Sequence, residues 1–473
     1  MKLSKDKAQA SPTKRFFVSM LTRDISLEDA ILDLIDNCLD GAMRVADGNK
    51  VDYSRHFVRI KLAKDMFSIE DNCGGIPRDV AINYAFKMGR EPDDDRDSGT
   101  ETIGMYGIGM KRAIFKMGKE SLVRTRYGDD SFEVPITSEW LEAKNWDPLP
   151  INEPNEASER LAEPGTTIIV KELYEGVARH FENDAFVDKV RKAISEHFTM
   201  FLQWGLTIEL NGKKVEPVHV EVLVSQRENG PAPYVFRKTI DGVLVSIVVG
   251  RNRNRSLWGD DDEDFGLERD RSSPTAGWTV FCNDRAVIVG DKTRLTGWGD
   301  GIPLYHPQFA IITGIIEFRS KEAEKLPVTT TKRALDTSSN VWLESYPKMK
   351  EGMRVWIDYT NQWKNQAEAE QEQARHWEDA RPMPLSEAIK AVAERRTAKK
   401  FEDGGFEFNP KKNKVLPEPP NRRPSDRRIS FTKPLEEIRL VGKVLLEDEN
   451  AAASVVGSKC FDLALARAKK IAG

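Results

Sequence analysis

Apolar and polar positions along the chain follow two periods, and the switches between them mark the elements. Over residues 28–42 (EDAILDLIDNCLDGA), Ala30, Ile31, Leu34, Ile35 and Cys38 recur at helical spacing. Ser26 stands just before them, with Asp29 three residues on, a capping-box start. Residues 57–63 alternate with period two, and 66–69 read as their partner strand. That partner runs out in Asp71-Asn72-Cys73-Gly74-Gly75-Ile76-Pro77. The pattern predicts a helix over 80–88. Residues 89–102 then lose apolar content and read as a mobile loop. A glycine turn at 103–111 (IGMYGIGMK) opens a further helix, and strands at 121–127, 132–136 and 166–172 complete a mixed sheet.

The second half repeats the logic with different elements. An amphipathic helix is expected over 186–202. Hairpins follow at 206–215, turned at Asn211-Gly212, at 234–251, turned at Asp241-Gly242, and at 277–290, with a further strand at 310–319. The basic-then-acidic insert between Arg251 and Pro274 reads as a solvated loop. From 340 to 400 the chain favours helix. Trp342, Tyr346, Met349, Met353, Trp356, Ile357 and Trp363 form a packing stripe, and Pro382 and Pro384 break the pattern. Residues 401–434 mix proline with Lys411, Lys412, Lys414, Arg422, Arg423, Arg427 and Arg428, a linker by composition. Residues 435–471 read as a short strand or loop and then a helix. The fold class expected is α+β, divided into an arm (1–25), a first domain (26–180), a second α+β domain (181–338), a helical extension (339–400), the linker and a terminal element (435–473).

Composition narrows the classes. A chain of 473 residues is too long for one ordinary core. With 39% hydrophobic and 31% charged residues it reads as a soluble globular protein. The net charge of -4 says little about partners, because local patches outweigh the sum. No apolar run reaches membrane-spanning length, and the N-terminal stretch lacks an apolar signal core. Cys38, Cys73, Cys282 and Cys460 show no metal spacing and fit a reducing, cytoplasmic setting.

Three stretches carry chemistry. Asp33 and Asn37 lie one turn apart on one helix face. A carboxylate beside an amide oxygen suits a divalent cation and an activated water, while a solvated acidic face is the plainer alternative. A strand ending in Asp71 and then glycines puts a carboxylate at a pocket floor, or simply makes a Gly-Pro turn. Gly104, Gly107 and Gly109 at a helix start can turn backbone N–H groups toward a phosphate chain, with Lys111 adding a charge. Their order is neither the dinucleotide fingerprint nor a P-loop. Thr166 offers a hydroxyl at the start of the last strand.

Taken in order, these four stretches resemble the four boxes of the GHKL ATPases, the superfamily of gyrase B, MutL, the ninety-kilodalton heat-shock chaperones, sensor histidine kinases and the MORC ATPases. The resemblance covers about residues 16–175 and implies a Bergerat-type sandwich that binds ATP with Mg²⁺. By it, Asn37 would bind the Mg²⁺, Asp71 the adenine amino group, and Gly75 would let adenine approach. Gly104, Gly107, Gly109 and Lys111 would cradle the phosphates, and Thr166 would support the adenine through water. Asp40, Ile76, Met88, Tyr106, Ile108 and Met110 would complete the pocket. Asp33 takes the water-activating position, where most hydrolytic relatives carry Glu, so turnover should be slow. Cys73 replaces the usual first glycine of its box, which is tolerable if that residue does not need positive φ.

The second half is similar to the transducer domain of gyrase, MutL and MORC proteins. Phe281-Cys282-Asn283-Asp284-Arg285 looks like their Asn- and Arg-bearing hairpin. Leu326-Pro327-Val328-Thr329-Thr330-Thr331-Lys332-Arg333 looks like the loop that sends a lysine to the γ-phosphate, with Lys332 in that role and Arg333 the fallback. The resemblance implies an ATP-dependent homodimer that closes as a clamp, on DNA or with a partner protein supplying another activity. A chaperone-like ATPase acting on a protein client is the alternative. A sensor kinase fits poorly, since no His precedes His56. No membrane association is expected.

Overall fold

The computed structural model describes residues 13–46, 50–89, 107–154, 160–252, 275–329, 334–363, 375–419 and 432–472. They fall into two compact units, residues 1–419 and 420–473.

In the first unit, helix α1 (Lys14–Arg23) precedes α2 (Leu27–Ala46). The Ser26 hydroxyl accepts the Asp29 N–H at 3.0 Å, the cap that the spacing predicts. Ile31, Leu32, Leu34, Ile35 and Leu39 are sealed from solvent. Each contributes about 1.5–3 kcal/mol of burial. Strands β1 (Phe57–Leu62) and β2 (Phe67–Asp71) form the expected antiparallel pair. The helix expected over 80–88 is a single turn, α3 (Arg78–Val80), running into a π-helical turn at Ala81–Ala85, and Met88 lies beyond it. Next come α4 (Gly109–Met117), β3 (Gly118–Tyr127), β4 (Asp130–Ile136), α5 (Ser138–Glu142) and β5 (Gly165–Leu173). The helical stretch after β5 is divided into α6 (Glu175–Phe181), α7 (Asp184–His197) and α8 (Thr199–Gln203), before β6 (Thr207–Leu210) and β7 (Lys213–Lys214). The sheet runs β4-β3-β5-β2-β1-β6-β7 and is antiparallel except at β1–β6. Helices α2, α4, α6 and α7 share one apolar core with it.

A second sheet lies in the same unit. After β8 (Val222–Ser225) come β9 (Tyr234–Ile240), β10 (Val243–Arg251), β11 (Gly277–Cys282), β12 (Arg285–Asp291) and β13 (Ile312–Arg319). Alternate residues face opposite cores. Tyr234, Ile247, Val249, Val280 and Ile316 join α9 (Asn340–Trp363), whose Trp342, Met349, Met353 and Trp356 are the predicted stripe. Val235, Val248, Phe281 and Ile315 join Met200 of α8, β8 and a helix beyond α9. Burial on both faces explains the apolar run of β10, which only Ser246 interrupts between Val243 and Val249.

The reading of 339–400 as one helical extension is corrected here. The helix α9 is described as far as Trp363. Later, β14 (Ala380–Met383) pairs with β8, and α10 (Leu385–Ala393) packs on the second core. The linker reading is corrected for 401–419: β16 (Phe406–Phe408) extends the sheet with β15 (Lys399–Lys400) at its side, Phe406 and Phe408 buried against it, while Arg422, Arg423, Arg427 and Arg428 lie outside the described residues. The sheet order is β12-β11-β13-β10-β9-β16-β15. Lys411 and Lys412 pair with Asp358 and Glu351 of α9 at 2.7 and 3.0 Å.

The second unit holds two helices, α11 (Leu435–Leu446) and α12 (Ala453–Ala472), where a strand or loop and one helix were expected. Among the described residues no helix is long and apolar enough to cross a membrane.

Candidate functional site

The site collects where α2, the end of β2, the start of β5 and the start of α4 meet. Asp71 closes β2 and pairs in register with Thr166. Its Oδ1 accepts the Cys73 N–H at 2.7 Å. Burial pushes this carboxyl up to about 6, against hydrogen bonds from the Cys73 backbone and the Cys38 thiol that pull it down. Cys38, on α2, also donates to Leu34 O at 3.2 Å, and burial raises its thiol well above the usual range. Neither Cys38 nor Cys73 is a reactive thiol in this setting.

The backbone here is tightly packed. A Cβ on Gly75, at φ +76°, would stand 2.0 Å from Arg126 O, and one on Gly165 2.0 Å from Asp71 O. Glycine is thus demanded by neighbouring strands as well as by any ligand. Cys73 is not among the positive-φ residues, so its replacement of glycine carries no strain. Thr125 on β3 ties these pieces together. Its Oγ1 accepts the Ile76 N–H at 2.8 Å, donates to Gly165 O at 3.1 Å, and lies 3.3 Å from Thr166 Oγ1.

On α2 the polar residues diverge. Asp33 is buried and ion-paired to Arg112 of α4. Asp36, fully buried, meets Arg285 Nε of β12 at 3.1 Å. Asp40 is buried, while Asn37 is only partly so, and its Nδ2 is enclosed without a hydrogen-bond partner. Gly109 begins α4 beside Asp33, since a Cβ there would sit 3.6 Å from the carboxylate. Gly107 takes φ +63°, and Ile108 and Met110 are half-buried around it. Lys111 is buried and turned onto backbone, donating to Ala85 O at 2.8 Å and to Gly107 O.

The structure therefore brings Asp33, Asn37, Asp40, Asp71, Gly75, Ile76, Ile108, Gly109, Met110 and Thr166 to two ends of one helix–sheet junction. Met88 lies past the π-turn, partly buried against the first core. Gly104, Tyr106 and Lys332 lie outside the described residues, as does most of the 89–102 loop. Sequence reading missed Arg112, Thr125 and the Asp36–Arg285 pair. A basic residue three positions after Gly109, on the first turn of the glycine-led helix, was the available signal for Arg112.

Asn37 is the residue here that would offer an oxygen to Mg²⁺. Among the described residues no cluster of three or more His, Cys, Asp or Glu could hold a metal by itself. Mg²⁺ in phosphate sites takes only one or two protein oxygens and fills the rest with water and phosphate. An amide whose nitrogen is not tied down can turn its oxygen to that task. A search of curated proteins finds no match to the chain. Residues 25–163 match the family described as histidine kinase-, DNA gyrase B- and HSP90-like ATPase, which, with the fold and the buried carboxylate at the end of β2, supports a GHKL ATPase domain at the head of this chain.

Proposed function

We propose that the chain binds Mg²⁺-ATP in this junction, hydrolyses it slowly, and uses it to gate a homodimer in the manner of the MORC, MutL and gyrase-B ATPases. The observation that carries the reading is Asp71. A buried carboxylate, framed by Thr125, Thr166 and two glycines that keep the backbone close, matches the exocyclic amine of adenine. Asn37 supplies an oxygen for Mg²⁺, which when bound neutralises phosphate charge. Gly107 and Gly109 present the α4 N-terminus to the phosphates. Asp33 takes the proton of the attacking water. Lys332 is the cation that reports the γ-phosphate to the second sheet. The resemblance extends the proposal to DNA as cargo, which a salt-dependent mobility shift tests.

Calorimetry of the full chain with Mg²⁺-ATP should give one site per chain. Asp71→Asn should weaken it roughly tenfold or more, about 1.4 kcal/mol. Sedimentation with a non-hydrolysable analogue should show a tighter dimer, absent in Asn37→Ala. Calorimetry that detects no uptake by folded wild-type chain removes the reading.

A further inference from the structure

The residue that stands against Asp33 is Arg112, one position past the lysine that the glycine turn advertises. Its side chain is 9% exposed and that of Asp33 5%. Its Nη2 is bonded to Asp33 Oδ2, while its Nε is enclosed with no acceptor among the described residues. Lys111 cannot substitute, since its ammonium is held by Ala85 O and Gly107 O. Buried ion pairs return little stability against apolar pairs of the same size, and here one buried donor is left unsatisfied as well. Stability therefore gives a weak reason for an arginine at this position. Geometry gives a better one. The Nη2 bond pins one carboxylate oxygen, Oδ2, to the first turn of α4 from a guanidinium whose donors sit on a rigid plane, unlike the freely turning ammonium of lysine. Aspartate is a methylene shorter than the glutamate of most hydrolytic relatives, and misplacement by about 1 Å costs on the order of a hundredfold in rate.

We propose that Arg112 is a positioning residue for hydrolysis: it clamps Asp33 to the first turn of α4 in the orientation from which the short carboxylate reaches the attacking water. This rests on the ATPase reading. In the step served, the water oxygen bonds to the γ-phosphorus, and the bond to the β–γ bridging oxygen breaks. Its electron pair leaves on ADP, and the water proton passes to Asp33 and on to solvent.

Steady-state hydrolysis and ATP calorimetry on full-length Arg112→Met, Arg112→Lys, Asp33→Asn and the Asp33→Asn/Arg112→Met double variant test this. Arg112→Met should lower kcat by on the order of tenfold to a hundredfold, with KM and the ATP dissociation constant within about threefold of wild type. Arg112→Lys should recover part of the rate. In the Asp33→Asn background, Arg112→Met should change nothing further. Should Arg112→Met fail to fold, Arg112→Lys carries the same comparison. The double variant leaves no carboxylate unpaired. A raised KM at unchanged kcat would make Arg112 a nucleotide ligand and overturn the proposal, as would an equal loss with and without Asp33. Wild-type hydrolysis with Arg112→Met at the wild-type rate sinks this inference alone. A wild-type chain that does not hydrolyse ATP sinks the ATPase reading and this with it.

Discussion

At Asp71 two demands on one carboxylate pull against each other. An adenine amine bonds more strongly to an ionised acceptor, yet burial favours the neutral acid and raises the group to about 6. Above that value the site is ready. At pH 5 roughly one site in ten stays ionised. Nucleotide affinity should therefore hold level above pH 7 and fall as pH drops through 6, in calorimetry at fixed salt. Stability at this group runs the other way. The folded value lies above the ordinary one of 3.8, so the folded chain binds the proton more tightly. The burial cost is present at neutral pH and relieved as pH falls from about 6 toward 4. Acidification should thus weaken ATP and firm up the ligand-free fold at this one group. In Asp71→Asn both trends should flatten, while a variant that loses only the binding trend would place the titration elsewhere.

The helix α2 sends its polar residues to different neighbours: Asp33 to α4, Asp36 to β12, and Glu28 to Lys189 of α7 at 2.7 Å. Asp36 and Arg285 are both sealed from solvent, so removing one takes the opposite charge away from a buried group 3.1 Å from it. Arg285→Met should cost about 3–5 kcal/mol in urea unfolding, and Asp36→Leu with Arg285→Met should recover most of it. Equal losses in the single and double variants would mean that packing, and not charge, dominates. This pair also shows what the chain conceals. The stripe of α2, the Ser26 cap and the hairpins at Asn211-Gly212 and Asp241-Gly242 were legible, because local spacing and φ preference decide them. The hairpin at 277–290 was legible as well, although its turn at Asn283 and Asp284, both at positive φ, carries no glycine. Two phenylalanines of β16 were hidden in a basic, proline-bearing stretch, and the pairing with β9 and β15 makes a strand of it. Arg112 and Arg285 were illegible as partners, because their carboxylates lie far away in the chain and tertiary packing alone chooses them.

Across the first unit, Arg285 gathers several of the polar contacts through which the junction and the second sheet meet. Its Nη1 donates to Ala286 O at 3.0 Å, its guanidinium stands over Phe198, and His197 Nδ1 lies 2.6 Å from Ala286 O. The α7–α8 corner, the β11–β12 turn and the residue preceding Asn37 thus form one buried knot. A ligand that steadies Asn37 must also steady its neighbour Asp36, because one turn of α2 carries both. The coupling is physical only if a distant observable moves when that turn is loaded. Amide exchange supplies it. Binding of a non-hydrolysable ATP analogue should slow exchange over residues 282–288 by about tenfold, a change of about 1.4 kcal/mol in local opening. The Asp36→Leu/Arg285→Met variant keeps the apolar contacts and removes the charge link. With analogue bound to the same extent, it should show slowing on α2 and none at 282–288. Equal slowing at 282–288 in both proteins would mean that the two sheets communicate through the apolar contacts of α7 and α8 with β12, and that the ion pair only holds them together.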